Sequence, residues 1–359
     1  MITCQKCRAL LAPGTKSCPY CGTDQRHHLA PTESEDAERT TRFGLWILGI
    51  IIGLFVLTLL LDPAKGDQTS RFRPSESALV MFGAVTQGHV RFCGQYWRML
   101  VSMFLHVDLL HLAFNSVALL FLIPIAAHAF GVHRTACIYL ASGLVGSAIS
   151  TFVGNAGVGA SGALCGLIAA GAVYGWRRGG ALGQMLARRM VFWAVIILAY
   201  GFFLASAVDN AGHIGGFLGG AAFGWFAAGA RARGGRQDRL WTLAARVGVA
   251  AAIAVAAIFL VPNVLRGFER REMDLYRRDA RRVLMLAGEA KPGAPATGLP
   301  ESFPDGPRGT EAVRDAVRSA LAQAREGNPE ARTALRRAYA VLDDWSRSLY
   351  CSHGLLPLK

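Results

Sequence analysis

Residues 135–176 contain no Asp, Glu, Lys or Arg. A stretch of that length is enough to cross a bilayer twice, at about 17–25 residues per helix. Seven charge-free runs of spanning length follow one another along the chain: 43–61, 109–127, 135–153, 156–176, 190–208, 210–230 and 247–265. Only 17% of the 359 residues are charged and 52% are hydrophobic, whereas soluble domains carry about a quarter charged residues. The first run lies between Arg42 and Asp62 and follows a polar leader, which predicts a span rather than a cleaved signal peptide. The run 109–127 holds His111, Asn115 and Pro124. Polar groups are expensive in lipid, so their presence there points to function.

The formal net charge is +14. Much of the excess lies beside the runs: Arg177, Arg178, Arg188 and Arg189 after the fourth, and Arg231, Arg233, Arg236 and Arg239 after the sixth. Arginine beside short connections sets orientation. It predicts that the fourth and sixth spans end in the cytoplasm, that the N-terminus is cytoplasmic and that the region after the seventh span is extracytoplasmic. Acidic residues interleave the basic tail, which argues against nucleic acid as a partner. The lipid bilayer is the expected surroundings, in a bacterial inner membrane.

Four of the eight cysteines, Cys4, Cys7, Cys18 and Cys21, form two CxxC knuckles ten residues apart. Folding one onto the other surrounds a Zn²⁺ ion with four thiolates. Two disulfides or a redox pair are the alternatives, and a cytoplasmic N-terminus disfavours disulfides. We expect a structural zinc ribbon over 1–25, a polar linker over 26–42, membrane helices over 43–230, a further membrane helix over 240–265 and a soluble, mostly helical region over 266–359. The long outer connection 62–108 is expected to lie partly in the interface. Within the tail, 288–309 reads as a Pro/Gly-rich linker and 311–350 as a helical hairpin broken at Gly327-Asn328-Pro329. Its apolar positions Leu335, Tyr339, Leu342 and Leu349 recur at helical spacing. Ribbon and tail are candidate docking modules for a protein partner.

Chemistry gathers on three spans. Alternating topology makes the second, fourth and sixth run in the same direction, so His111, Asn115, Ser161 and His213 all lie near outer ends. Gly212, Gly216, Gly220 and Gly224 form a bare stripe on the sixth span, and Gly162 and Gly166 follow Ser161. Small-xxx-small faces let membrane helices pack backbone to backbone. Close packing brings Ser161 within hydrogen-bond reach of His213, the requirement for an activated serine nucleophile. The imidazole accepts the serine proton and passes it to the leaving amine. His111 and Asn115, four apart, share a helical face and both donate hydrogen bonds, which suits an oxyanion hole. With Asp108 and Asp209 the only carboxylates near these starts, a dyad is expected rather than a triad. The competing readings are ordinary ones: a packing serine among glycines, a histidine relay, or a metal site of His106, His111 and His213. GASGA also departs from the Gly-x-Ser-x-Gly elbow, since Ala163 replaces the second glycine.

Four segments together resemble the rhomboid family of intramembrane serine proteases: Tyr96-Trp97-Arg98, 106-HVDLLHLAFN-115, 159-GASG-162 and 213-HIGGFLGG-220. The resemblance covers roughly residues 90–230. It implies an all-α polytopic fold with a six-helix catalytic bundle and one additional C-terminal helix. It also implies a Ser161/His213 dyad needing no catalytic cofactor, and an oxyanion site of His111, Asn115 and the Ser161 amide. By the same resemblance His106, Gly159, Gly162 and Cys165 support the site, and the substrates are transmembrane proteins. Two positions depart from the family pattern. Gly212 stands where alanine is usual, and Cys165 stands where an aromatic commonly stacks under the histidine. A smaller side chain at 165 is expected to hold His213 less firmly. The alternative is a catalytically weak or inactive relative that binds membrane clients. A transporter would require charged or broken-helix ion sites at mid-membrane, and the runs contain none.

Overall fold

A computed structural model describes residues 2–4, 7, 9–11, 15–23, 33–62, 72–203, 208–228, 236–265, 267–288, 299–306, 310–328 and 330–351. The long helices are α1 (Glu33–Leu60), α4 (Leu109–Phe130), α5 (Val132–Val153), α6 (Ser161–Arg178), α7 (Gly180–Phe203), α8 (Asn210–Ala228) and α9 (Arg236–Val255). A π-helical turn (Ala256–Leu260) and α10 (Val261–Leu265) continue α9. Short helices α2 (Glu76–Met81) and α3 (Trp97–Val101) lie in the connection between α1 and α4.

Every expected span falls on one of these helices, although several ends differ. Helix α1 begins at Glu33, inside the expected 26–42 linker, where Glu38 pairs with Arg42 one turn on at 2.6 Å. Arginines 188 and 189, read as part of a connection, lie within α7. The turn between α6 and α7 is confined to Gly179 and the first residue of α7, Gly180, both with positive φ. Residues 204–207 and 229–235, the latter with Arg231 and Arg233, lie outside the described residues. Helix α6 starts at Ser161, five residues later than the charge-free run, for reasons that belong to the site.

Among the described residues, five helices are long and apolar enough to cross a membrane: Ala37–Leu60, Leu109–Phe130, Val132–Val153, Gly180–Phe203 and Asp238–Leu265. The other two, α6 and α8, are rich in glycine and occupy the interior. Lipid-facing helices need apolar side chains, whereas an enclosed helix needs a surface that fits its neighbours. The chain is an integral multi-pass membrane protein of polytopic helical fold. Its largest apolar cluster draws Leu119 and Ile123 from α4, Ile138 and Tyr139 from α5, and Leu164 and Leu167 from α6.

The tightest packing joins α6 to α8. A Cβ added at Gly216 would run into the Gly162 carbonyl, and one at Gly220 into the Gly166 carbonyl. One at Gly224 would come within 2.7 Å of Ala170 Cα. On the α5 side, a Cβ at Gly146 would reach to 2.7 Å of the Gly212 carbonyl. Three helix backbones therefore meet around the fourfold-spaced glycines.

The connection between α1 and α4 packs closely over 72–108. Asp62, at the end of α1, accepts hydrogen bonds from the Ser75 amide (2.7 Å) and hydroxyl (2.6 Å), which closes the connection on itself. Beyond the bundle, α11 (Gly267–Gly288), α12 (Glu311–Arg325) and α13 (Ala331–Cys351) share a separate core. Leu335 and Leu342 are buried in it and Tyr339 packs against it, while the Leu349 side chain lies outside the described residues. Part of the expected 288–309 linker is built in. Phe303 is buried against Tyr276, and the Phe303 carbonyl accepts from Arg318 Nε at 2.7 Å.

Filling the α6–α8 seam should be more damaging than filling a lipid-facing position. Gly220→Val should lower the thermal midpoint in detergent by the equivalent of about 1–3 kcal/mol of overpacking. Gly53→Val, where no atom lies within 4 Å of an added Cβ, should leave it within error. Equal midpoints for the two variants would contradict the packing described.

Candidate active site

His111, Ser161 and His213 sit in the first turns of α4, α6 and α8, and an aspartate caps the first and last of these starts. Asp108 caps α4 by accepting the His111 amide at 2.8 Å. That sets His111 in the first turn and buries Asn115 one turn deeper. Asn115 Nδ2 donates to the His111 carbonyl at 2.9 Å, which leaves its second N–H for another acceptor. His106, in the connection just before, is buried, with its ring centroid 5.1 Å from that of His111. Burial, reinforced by His111, pushes the His106 imidazole down to about 3 and keeps it neutral.

The segment preceding α6 is extended. Val85 and Gly157 exchange backbone hydrogen bonds of 3.3 and 3.0 Å, and the Gly159 amide donates to the Ser102 carbonyl at 2.9 Å. Gly159 takes φ +125°, and a Cβ there would approach the His111 ring to 2.7 Å, so glycine is required on both counts. With its ladder partners outside the helix, the chain begins helical winding at Ser161. The Ser161 N–H is therefore among those with no partner one turn back.

On α8 the Asp209 carboxylate accepts the Gly212 amide at 3.0 Å and Asn155 Nδ2 at 3.1 Å. It caps the helix and ties it to the α5–α6 connection. His213, in the first turn, is 8% exposed. Its Nε2 lies 2.9 Å from Ser161 Oγ. For the hydroxyl to donate to Nε2 the neutral ring must carry its proton on Nδ1. Nδ1 is buried without a hydrogen-bond partner among the described residues.

A cavity beside the pair is lined by Ser102, Ser147, Ser150, Gly157 and Asp209 together with Ser161 and His213. His111 approaches the serine across Gly159, where an added Cβ would lie 2.7 Å from the His111 ring and 3.8 Å from Ser161 Oγ. The arrangement brings Ser161, His213, Gly159 and His111 together, with Asn115 held through His111. Gly162 packs against the Gly212 carbonyl, 3.5 Å from where its Cβ would be, and Cys165 is buried one turn below the serine. Sequence reasoning missed the Asp209–Asn155 contact, the Ser102 carbonyl and the Val85–Gly157 bridge. An Asp three residues before a helical glycine was a readable cap signal. The bridge joins segments too distant in sequence for any local pattern to reveal.

Among the described residues, the one cluster of three or more potential metal ligands is Cys4, Cys7, Cys18 and Cys21. The alternative of a metal on His106, His111 and His213 finds no such cluster. The four sulfur atoms lie within 4.8 Å of one another, with Cys4–Cys21 at 3.5 Å and Cys7–Cys18 at 3.6 Å. Zn–S bonds of about 2.3 Å in a tetrahedron give edges of about 3.8 Å, so the donors fit. The pairing of β1 (Ile2–Thr3) with β2 (Leu10–Leu11) supports the first knuckle, and a hydrogen bond from the Cys18 amide to the Thr23 carbonyl (2.9 Å) supports the second. The Thr23 hydroxyl, 3.1 Å from Cys21 Sγ, is the main cause of a thiol pushed down to about 6.

A polytopic helical membrane protein with a serine and a histidine paired at the starts of two glycine-seamed helices is a narrow class. Residues 93–230 match the family model described as "Rhomboid domain". "Rhomboid protease AarA" of Providencia stuartii is 32% identical over 206 residues, covering 50% of this chain and 73% of that protein. "Rhomboid protease GluP" of Bacillus subtilis (strain 168) is 34% identical over 182 residues, 48% of this chain and 32% of that protein. "RHOMBOID-like protein 7" of Arabidopsis thaliana is 35% identical over 168 residues, 42% of this chain and 49% of that protein. The chain thus spans less than half the length of these last two relatives. It belongs to the rhomboid family.

Because a good cap is worth about 1 kcal/mol, and Asn caps as well as Asp, Asp209→Ala should destabilise the protein by about that much. Asp209→Asn should be close to wild type. Thermal unfolding of both in one detergent provides the check, and a loss in Asp209→Asn equal to that in Asp209→Ala would mean that the negative charge matters more than the cap.

Proposed function

We propose that this protein is an intramembrane serine endopeptidase that hydrolyses peptide bonds in or near transmembrane segments of membrane proteins. The observation that carries the reading is the 2.9 Å contact between Ser161 Oγ and His213 Nε2. Ser161 is the nucleophile: its hydroxyl proton passes to Nε2 as Oγ attacks the scissile carbonyl. The resulting oxyanion is held by the unpaired Ser161 N–H and by side-chain donors of His111 and Asn115. The imidazolium then protonates the leaving amine, and an acyl-enzyme remains on Ser161. Water, deprotonated by the same imidazole, hydrolyses the ester and restores the serine. His106, Gly159, Gly162 and Cys165 support this constellation by packing. Substrate helices must unwind to expose a peptide bond, so small or helix-breaking residues near the cut are favoured. An inactive relative that merely binds clients has no need of this paired geometry.

The site lies on the outer side of a bacterial inner membrane, with the N-terminus cytoplasmic and the C-terminal helices outside. Arginine beside the fourth and sixth spans supports this orientation. So does cysteine chemistry: Cys93 in the outer connection is disulfide-bonded, while Cys4, Cys7, Cys18 and Cys21 form no disulfide among the described residues. The catalytic bundle is assigned to 43–230, with α1 reaching back to Glu33, and the soluble, mostly helical region to 266–359. The cysteine ribbon over 1–25 takes one structural Zn²⁺, and ribbon or tail recruits a protein partner.

A fluorophosphonate probe should label the wild-type protein in detergent on Ser161. Ser161→Ala should abolish both labelling and cleavage of a model transmembrane substrate, and His213→Ala should reduce both to background, without loss of expression. Cleavage by Ser161→Ala at the wild-type rate would overturn the mechanism.

For the ribbon, metal analysis of the purified full chain should find about one zinc per molecule, as a four-thiolate site requires. Cys18→Ser should lose that zinc and keep probe labelling. A wild-type chain without zinc under reducing conditions would remove the metal assignment and leave the dyad untouched.

A further inference from the structure

The outer end of the seventh membrane helix reaches into the connection that abuts the nucleophile. At its inner end α9 lies along α5, where Arg134 bonds Asp238 at 3.2 Å and Leu140 comes within 3.5 Å of the Cβ position of Gly248. The winding then changes to π over Ala256–Leu260. A π turn takes up an extra residue and offsets the face presented beyond it. Past that offset, Phe259, Leu260 and Asn263 all meet the outer connection. Phe259 stacks on Trp97 with centroids 5.9 Å apart and planes at 9°. Leu260 is buried in a cluster with Met81, Phe82, Trp97, Val101 and Leu105. Asn263, 2% exposed, donates its Nδ2 to the Met81 carbonyl. A buried amide is costly in apolar surroundings unless paired, and a helix that served only as a membrane anchor would have no use for one.

From Met81 and Trp97 the contacts run on to Ser161. Arg98, wholly buried, donates to the Val80 and Ala84 carbonyls at 2.7 and 3.2 Å and lies 4.7 Å over the Trp97 ring. Next in the chain, Val85 pairs with Gly157, and the Ser102 carbonyl holds the Gly159 amide. Val158 packs in the same cluster as Leu260. The segment that ends at the nucleophile is thus held by the connection that the seventh helix covers.

We propose that the seventh helix braces the catalytic site, and that Asn263 and Phe259 are positioning residues acting through the outer connection on residues 157–160. The inference rests on the protease reading above. Backbone placement of 157–160 sets where the Ser161 N–H points, so the brace acts on the chemical step more than on substrate binding. Small misplacements of a reacting group cost as much as about 10²-fold in rate.

The test uses the full chain and two readouts. Asn263→Leu, similar in size but without the donor, should lower kcat per probe-titrated serine by about tenfold, a fraction of the loss that gross misplacement causes. KM should stay within about twofold, since uniform binding is not touched. Phe259→Ala should act in the same direction, and Asn263→Gln, which keeps an amide donor, should recover most of the rate. Independently of any activity, amide hydrogen exchange at Gly157 and Gly159 should accelerate in Asn263→Leu. Unchanged exchange there overturns the brace whatever the enzyme does. So does a loss confined to the fraction of titratable serine with kcat per site intact, which marks a merely structural contact. A wild-type protein that neither labels nor cleaves sinks the protease reading instead, and the exchange measurement still decides the brace.

Discussion

Helices α6 and α8 touch along their backbones, and the geometry of the site follows from that contact. Gly216 faces the Gly162 carbonyl, Gly220 faces that of Gly166, and Gly224 faces Ala170. Between membrane helices there is no hydrophobic force, since lipid tails are as apolar as leucine; close van der Waals packing must hold them together. Separating the two axes by the width of one methyl group would consume more than the slack in a 2.9 Å hydrogen bond between Ser161 and His213. The same glycines therefore serve cohesion and the Ser161–His213 contact. A third backbone joins them on α5, where Gly146 meets the Gly212 carbonyl and the Ser142 hydroxyl fills the space beside Gly166.

Helix starts create the second constraint. Backbone N–H groups at the beginning of a helix lack partners, and within a membrane protein irregular backbone persists only where it is enclosed. Asp108 and Asp209 satisfy amides at two of the three starts, and the Val85–Gly157 bridge takes up the backbone ahead of the third. The connection between α1 and α4 is then part of the site's enclosure. Arg98 explains why that connection is ordered: its guanidinium draws together Gln95, Val80 and Ala84 from the two sides of a turn.

Much of this was legible in the chain and some was not, for physical reasons. Absence of charge over membrane-length runs located helices α1 and α4–α9 among the described residues, because burying a charge in lipid is costly whatever the neighbours are. The fourfold glycine spacing pointed to the α6–α8 seam, since helical periodicity is local information. Cysteine spacing likewise carried the clustering of Cys4, Cys7, Cys18 and Cys21. Helix ends were read less well. The polar stretch before Phe43 is helical because Glu and Arg are good helix formers and pair one turn apart, and a linker reading ignored that. Residues 156–160 are apolar enough to pass as span, yet their hydrogen bonds go to Val85 and Ser102. Such long-range pairing leaves no trace in local pattern. The inward turn of Phe259 and Asn263 depends on a π offset that no spacing rule announces.

How His213 is oriented without a carboxylate follows from the same packing. Asp209 is four residues earlier on the same helix, and its Oδ1 already accepts the Gly212 amide and Asn155. That carboxylate oxygen serves the helix start, and Nδ1 of the imidazole has no acceptor among the described residues. In a serine triad the carboxylate selects the tautomer and holds the ring. Here the ring is held by enclosure: His213 is 8% exposed on a helix whose neighbouring glycines admit the α5 and α6 backbones. Cys165, one turn below the serine, is 1% exposed. An imidazole positioned by backbone contact tolerates little change in the helices that carry it. That places the sensitivity of the Ser161–His213 contact in the glycines of the seam and in the connection between α1 and α4.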